Sequence, residues 1–166
     1  MLIVLSGLPG TGKSALAEKI AQARRLSVLS VDPLESAMLR AGVARSFETG
    51  WAAYLVAEAL ADQCLALGLD ALVDAVNGVE PARDLWRALA GKRQVDLRII
   101  ECTVSDPALH AARLASRDRG LARGEPTAEE VAERRAEWTP WPEVHLTLDA
   151  ADGIEANLAQ ALVYLA

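Results

Sequence analysis

The chain has 166 residues, 52% of them apolar and 24% charged, with a formal net charge of −6. This suits a single soluble globular domain with a real core and excludes a disordered, fibrous or membrane-embedded chain. The acidic balance argues against a nucleic-acid-binding surface, because phosphate backbones select basic ones.

Short apolar runs alternate with longer helical stretches. LIVLS at 2–6 reads as a buried strand, and 13–24 as a helix. LSVLSV at 26–31 is a second strand, ending at Asp32-Pro33, and 34–41 a short helix closed near Gly42. A long Ala-rich helix follows over about 46–67, closed by Gly68. ALVDAV at 71–76 is the third strand, and a helix with Pro81 near its start covers about 80–90. VDLRIIECTV at 95–104 is the fourth strand, and Asp106-Pro107 opens a helix reaching about Arg117. RDRGLARGEP, 117–126, reads as a mobile charged loop. Thr127 and Glu130 have capping-box spacing for a helix over about 128–137. In EWTPWPE, 137–143, Trp138 and Trp141 flank Pro140 and brace the turn into a last strand at 144–149; a last helix covers about 153–165. Such alternation implies a parallel sheet wrapped on both faces by helices, an α/β fold. One domain over 1–166, with a lid at about 117–127, is expected.

Cys64 and Cys102 lie far apart and outside any C-x-x-C pattern, which suits two buried thiols in a reducing compartment. The first apolar run stops at Gly7, too soon for a secretory core, and no run approaches membrane-span length. A cytoplasmic protein without membrane contact is expected.

The strongest motif is LSGLPGTGKSAL, where Gly7, Gly12, Lys13 and Ser14 fill G-x-x-x-x-G-K-[ST]. Gly7, Gly10 and Gly12 permit backbone angles closed to other residues, so that N–H groups, with that of Thr11, converge on phosphate oxygens. The following helix points its positive end at the same oxygens. Lys13 reaches for the β- and γ-phosphates, and the Ser14 hydroxyl suits Mg²⁺. A strand before and a helix after supply the context this motif needs. There is no N-K-x-D guanine-reading motif, and the chain is short for a motor or transporter ATPase. A lid that excludes water and brings positive charge fits a kinase best.

Acceptor chemistry falls on other residues. Asp32 lies after the second strand, at the sheet edge where ligands bind, and can take a proton from an attacking hydroxyl; it can also cap a helix. Asp74 sits in an apolar run, where a carboxylate needs a partner: Mg²⁺-bound water, the substrate or a structural group. The lid carries Arg113, Arg117, Arg119 and Arg123 against Asp118. Arg113 and Arg117, four apart on one helix face, repel unless an anion such as a triphosphate lies between them. Trp51, Tyr54 and Glu58 share a helix face that serves either packing or a cationic or sugar-like ligand. His110 and His145 have no metal-ligand spacing.

Taken in order, LSGLPGTGKSALAEKIA, VLSVDPLESAM, ALVDAVNGVEPARDLWRALA and RIIECTVSDPALHAARLASRDRG resemble a group of small P-loop kinases. These are the AAA-domain-type kinases that include the kinase domain of polynucleotide kinase, with chloramphenicol phosphotransferase and zeta toxin nearby. The resemblance covers about residues 1–137 and implies a five-stranded parallel core with ATP as donor. It implies Asp32 as general base, Asp74, Asn77 and Arg83 facing the acceptor, and lid arginines at Arg113 and Arg117. Arg117 is the better match to the phosphate clamp. Two departures stand out. Where polynucleotide kinases carry an Arg three residues after the base, this chain has Glu35, which would repel a phosphate and suits a neutral or cationic acceptor. Val76 stands where relatives often have Thr.

The expected activity is ATP- and Mg²⁺-dependent phosphoryl transfer to a small-molecule hydroxyl. Lys13, Asp32 and Arg117 would carry it. A polynucleotide 5′-hydroxyl kinase, or a nucleotide-binding regulatory protein without a dedicated acceptor, are the alternatives.

Overall fold

Five apolar runs pair into one parallel sheet in the order β2-β3-β1-β4-β5. The strands are β1 (Leu2–Ser6), β2 (Val28–Ser30), β3 (Ala71–Asp74), β4 (Leu97–Thr103) and β5 (Leu146–Asp149). The helices are α1 (Lys13–Arg24), α2 (Val31–Arg40), α3 (Phe47–Ala66), α4 (Glu80–Arg93), α5 (Pro107–Ala115), α6 (Ala128–Ala136) and α7 (Ile154–Tyr164). The computed structural model describes residues 1–122 and 124–166. Among them no helix is long and apolar enough to cross a membrane.

The alternation of side chains along β1 builds the two layers of core. Leu2 and Val4 enter a cluster with Ala53, Ala57 and Trp86 of α3 and α4. Ile3 and Leu5 point the other way, against Leu16, Ile20 and Ala161 of α1 and α7. A strand buried on both faces must be apolar throughout, which is why LIVL shows no polar alternation. On α3 the buried Ala53, Ala57 and Ala61 recur every four residues, one small-residue stripe facing the core.

Register sets the functional edge. Asp74 pairs with Leu5 of β1 and with Ser30 of β2, so Ser30 and Asp74 end their strands side by side. β1 lies where the order reverses, and its C-terminal end opens into the Gly-rich loop, the position where open α/β sheets bind ligands.

Three boundaries differ from expectation in ways that matter. The second strand stops at Ser30, and Asp32-Pro33 lies in the first turn of α2. Pro33 is tolerated there because first-turn N–H groups have no intrahelical partner. Asp32 is therefore a helix N-terminal carboxylate. Second, α5 ends at Ala115, with Ser116 as its C-cap. Arg117 is thus off the helix, and the helix-borne repulsion with Arg113 does not arise. Third, α4 continues to Arg93 and closes on Gln94 at φ 54°. The capping box is present: Thr127 Oγ1 accepts from the Glu130 N–H, and the Glu130 carboxylate from the Thr127 N–H.

Candidate active site

The Gly-rich loop is pressed between β4 and α5. A Cβ on Gly7 would lie 2.4 Å from the Cys102 carbonyl oxygen, and one on Gly10 2.8 Å from the His110 ring. Both glycines also have positive φ, 149° and 87°. Two independent constraints thus exclude side chains here. Thr11 braces the turn by donating to the Leu8 carbonyl at 2.8 Å. Gly12 is the N-cap of α1, and Lys13, 3% exposed, is its first residue.

Beside this loop lies a cavity of about 640 Å³, within the range of small-ligand sites. Lys13, Ser14, Arg113, Arg117 and Arg119 line it on one side, and Leu148, Ala150 and Ile154 supply an apolar wall. The arrangement joins a cationic, N–H-rich end to an apolar end, as a nucleotide requires. Arg113 stands over the start of α1: a Cβ on Gly12 would lie 3.2 Å from its Nη1, an atom that is buried without a hydrogen-bond partner. Its Nη2 lies 3.5 Å from the Ala150 carbonyl.

The lid segment closes on α2. Arg119 Nη1 donates to Asp32 Oδ2 at 2.9 Å, and Arg117 Nη2 lies 3.6 Å from the same oxygen. Glu125 holds both arginine residues, taking the Arg119 N–H at 2.8 Å and lying 2.5 Å from Arg117 Nε. The Ala122 N–H donates to the buried Ser36 hydroxyl at 2.8 Å. The same two arginines therefore line the cavity and touch the Asp32 carboxylate.

Asp74 is 2% exposed. Its Oδ2 accepts from the Ser30 hydroxyl at 2.9 Å, while Oδ1 is buried with no hydrogen-bond partner. A buried carboxylate oxygen left bare is costly unless a cation or donor reaches it. Tyr54 stacks on Trp51, with ring centres 6.0 Å apart, and its hydroxyl accepts from the Asn77 N–H at 3.3 Å. Burial pushes the Tyr54 phenol up to about 12; the Asn77 contact opposes this, and the Asp32 and Asp74 charges add to it. Glu35 lies near α3, its carboxylate 3.8 Å from where a Cβ on Gly50 would stand.

Comparison with known proteins places this geometry. The AAA_33 model, described as an AAA domain, matches residues 2–140. The chain belongs to the AAA_33 family. None of the curated proteins matches it by sequence. Among solved structures, a Chloroflexus aurantiacus protein aligns with TM-score 0.79 at 21% identity, over 99% of this chain and 98% of its own. A gluconokinase of Sinorhizobium meliloti aligns with TM-score 0.70 at 21% identity, over 98% and 90%. The APS kinase of Mycobacterium tuberculosis, solved with AMPPNP and APS, aligns with TM-score 0.71 at 19% identity, over 99% and 96%. These likenesses show a P-loop fold shared over nearly the whole length.

Within this AAA_33 chain, Lys13, Ser14, Arg113 and Arg117 meet at one cavity. Asp32 reaches that group through the lid arginines, and Asp74 stands at the sheet edge between β2 and β1. Asn77 and Arg83 correct the expectation of an acceptor-facing role. Asn77 is fully buried in the left-handed region (φ 53°); its Nδ2 donates to the Leu5 carbonyl and its Oδ1 accepts from Trp86 Nε1. Arg83 is fully buried and donates to the carbonyls of Asn77, Thr139 and Pro140, with its guanidinium 4.6 Å above the Trp141 ring. Their hydrogen-bonding groups are turned to the protein: Arg83 clamps the 137–143 connection, and Asn77 ties Leu5 to Trp86. Trp141, 3% exposed, is part of this brace and also donates to Ser6 Oγ. Arg123 lies outside the described residues.

Two contributors were not legible in the sequence. Glu125 looks like one more charge in a solvated loop, yet it orients two arginines. His110 carries no motif, yet it touches the Gly-rich loop directly.

Proposed function

We propose that the chain is an ATP-dependent kinase that transfers the γ-phosphate to a hydroxyl of a small molecule. One observation carries this reading: Arg117 and Arg119 line the phosphate-binding cavity and also contact the Asp32 carboxylate. A donor grip and charge-balancing guanidiniums thus share one cavity, and the candidate base contacts those guanidiniums. The gluconokinase and APS kinase folds support it, since both are named for transfer to small molecules.

The Gly-rich loop and Lys13 bind the β- and γ-phosphates. Arg113, with its unpartnered Nη1 over the start of α1, takes a phosphate oxygen. Asp32 accepts the acceptor's hydroxyl proton as the hydroxyl oxygen attacks the γ-phosphorus and the bond to the β–γ bridging oxygen breaks, releasing ADP, once the lid arginines exchange the carboxylate for the triphosphate. Arg117 then balances charge on the transferring group. Ser14 and the bare Asp74 Oδ1 fit a Mg²⁺ ion, a hard cation that takes oxygen ligands and few protein side chains. When bound, Mg²⁺ would neutralise phosphate charge. Among the described residues no group of three His, Cys, Asp or Glu side chains could hold a metal without the nucleotide.

Asp32→Ala should abolish transfer while ATP binding, read by calorimetry, persists. An ATP-consumption screen over sugars, amino alcohols, nucleosides and antibiotics supplies the acceptor, with a hydroxyl-ended oligonucleotide as comparison. Full activity in the variant would remove Asp32 from the mechanism.

A further inference from the structure

We infer that His110 is a positioning residue for the phosphate grip: a neutral imidazole that fixes the Pro9–Gly10 peptide and ties it to α6. This rests on the nucleotide reading of the Gly-rich loop. His110 sits on α5 and is 5% exposed. Its Nε2 lies 2.8 Å from the Pro9 carbonyl oxygen, and its Nδ1 2.8 Å from Nη2 of Arg135 on α6. A carbonyl only accepts and a guanidinium only donates. One neutral tautomer satisfies both partners: the proton is on Nε2, and the bare Nδ1 receives the Arg135 N–H.

The consequence falls on the loop backbone. No described peptide bond is cis, and in a trans peptide the carbonyl and the next N–H point in opposite directions. Anchoring the Pro9 carbonyl on His110 therefore aims the Gly10 N–H away from α5. Gly10 lines the large cavity, and its N–H is of the kind that holds phosphate oxygens in such loops. A glycine at φ 87° gives little resistance to rotation of that peptide, so an outside partner must set it. The ring is also close-packed on the loop, with Cδ2 and Nε2 2.8 and 2.9 Å from where a Gly10 Cβ would stand. One turn further along α5, Arg113 covers Gly12. Arg135, with Leu8 and Thr11, lines a smaller cavity of about 230 Å³ behind the loop. The lid-side helix α6 thus reaches the phosphate grip through one imidazole.

A residue that sets a phosphate-facing N–H must act in proportion to the phosphates bound. The test is calorimetry with ATP and with AMP, which leaves the β- and γ-positions empty, on the full wild-type chain and on H110F, H110N and H110Q. Phenylalanine keeps the ring's packing and donates nothing. Asparagine reaches only the Nδ1 position. Glutamine brings an amide N–H to the place of Nε2. Loss of one such hydrogen bond predicts about 10-fold weaker ATP binding in H110F and H110N. AMP binding should stay within about 2-fold, and H110Q should recover most of the ATP affinity. A long-range ¹H–¹⁵N spectrum of the wild-type chain should show the Nε2–H tautomer for His110. Equal losses for AMP and ATP, no rescue by glutamine, or an Nδ1–H tautomer would each overturn the inference. Should H110F fail to fold, the contrast between H110N and H110Q decides the matter alone. No ATP binding by the wild-type chain overturns the nucleotide reading and this inference with it. Wild-type binding that the variants leave unchanged overturns this inference only.

Discussion

Replacing Arg83 by methionine separates the two roles open to that residue. Methionine keeps most of the aliphatic bulk and donates no hydrogen bond. The carbonyls of Asn77, Thr139 and Pro140 then lose their guanidinium donors; the Asn77 carbonyl is buried, whereas Thr139 and Pro140 are exposed. A buried acceptor left without a partner costs about 1–3 kcal/mol, and carbonyls fall near the lower end. The buried Asn77 carbonyl costs about 1–2 kcal/mol, and the two carbonyls of exposed residues, which water can reach, about 0.5 kcal/mol each. The cation over the Trp141 ring, 4.6 Å from its centre, adds about 1 kcal/mol or more once desolvated. The contact to Glu80, a half-exposed carboxylate, adds little. The sum is about 3–4 kcal/mol, and in a domain of this size each kcal/mol lowers Tm by about 2–4 °C. R83M should therefore melt about 6–16 °C below wild type, with a matching loss of free energy in urea. Once folded at low temperature, it should retain acceptor KM within a few-fold. A variant that melts like wild type but loses acceptor affinity selectively would refute the structural assignment.

Asp74→Asn removes the bare buried carboxylate oxygen and should leave stability unchanged or raised, because an uncompensated buried charge disappears. Transfer should fall by about 100-fold and the Mg²⁺ needed for half-maximal rate should rise, for the loss of a charge-assisted contact. Thermal melts and a magnesium titration check both halves. The Cys102 thiol is pushed up to about 12 by burial, against the opposing pull of Lys13. It keeps its proton in the folded chain, while the unfolded chain ionises near about 8.5. Between those values the unfolded state binds fewer protons, so the stabilisation is complete below about pH 8.5 and is lost as pH rises toward 12. Urea unfolding at pH 7, 9 and 10.5 should show falling stability, less steeply in C102A. Tyr54, also raised to about 12, contributes with the same sign at the upper end.

The order of elements was legible because the signals are local. The apolar run of β1, the G-K-S turn and the T-x-x-E capping box each need only a few neighbouring residues. Asp32 was misplaced by one element because a proline after an aspartate serves a strand end and a helix first turn equally well. Asn77 and Arg83 looked acceptor-facing by resemblance. Their burial depends on Trp86 nearby and on Thr139 and Trp141, which only the folded chain brings near. His110 had no signal at all, since its partner Pro9 lies 101 residues away. Local chemistry finds the groups that hold ligands, and tertiary contact alone reveals the groups that hold those.

The strand order has a further consequence. With β1 as a seam, β2 and β3 lie on one side and β4 and β5 on the other. Asp32, Glu35 and Asp74 all come from the stretch between Val28 and Asp74, whereas Arg113, Arg117, Leu148 and Ile154 come from after Leu97. The two halves of the ligand edge are thus separate in sequence and meet in space through Asp32 and Ser36, which contact the segment 117–122. Change can accumulate elsewhere in the first stretch, apart from Asp32 and Ser36, with little effect on the walls built by the second. The ligand edge is therefore divided across the central strand except at these two contacts, and exchanging residues 37–60 with a relative is the graft that should move acceptor preference and leave the nucleotide grip intact.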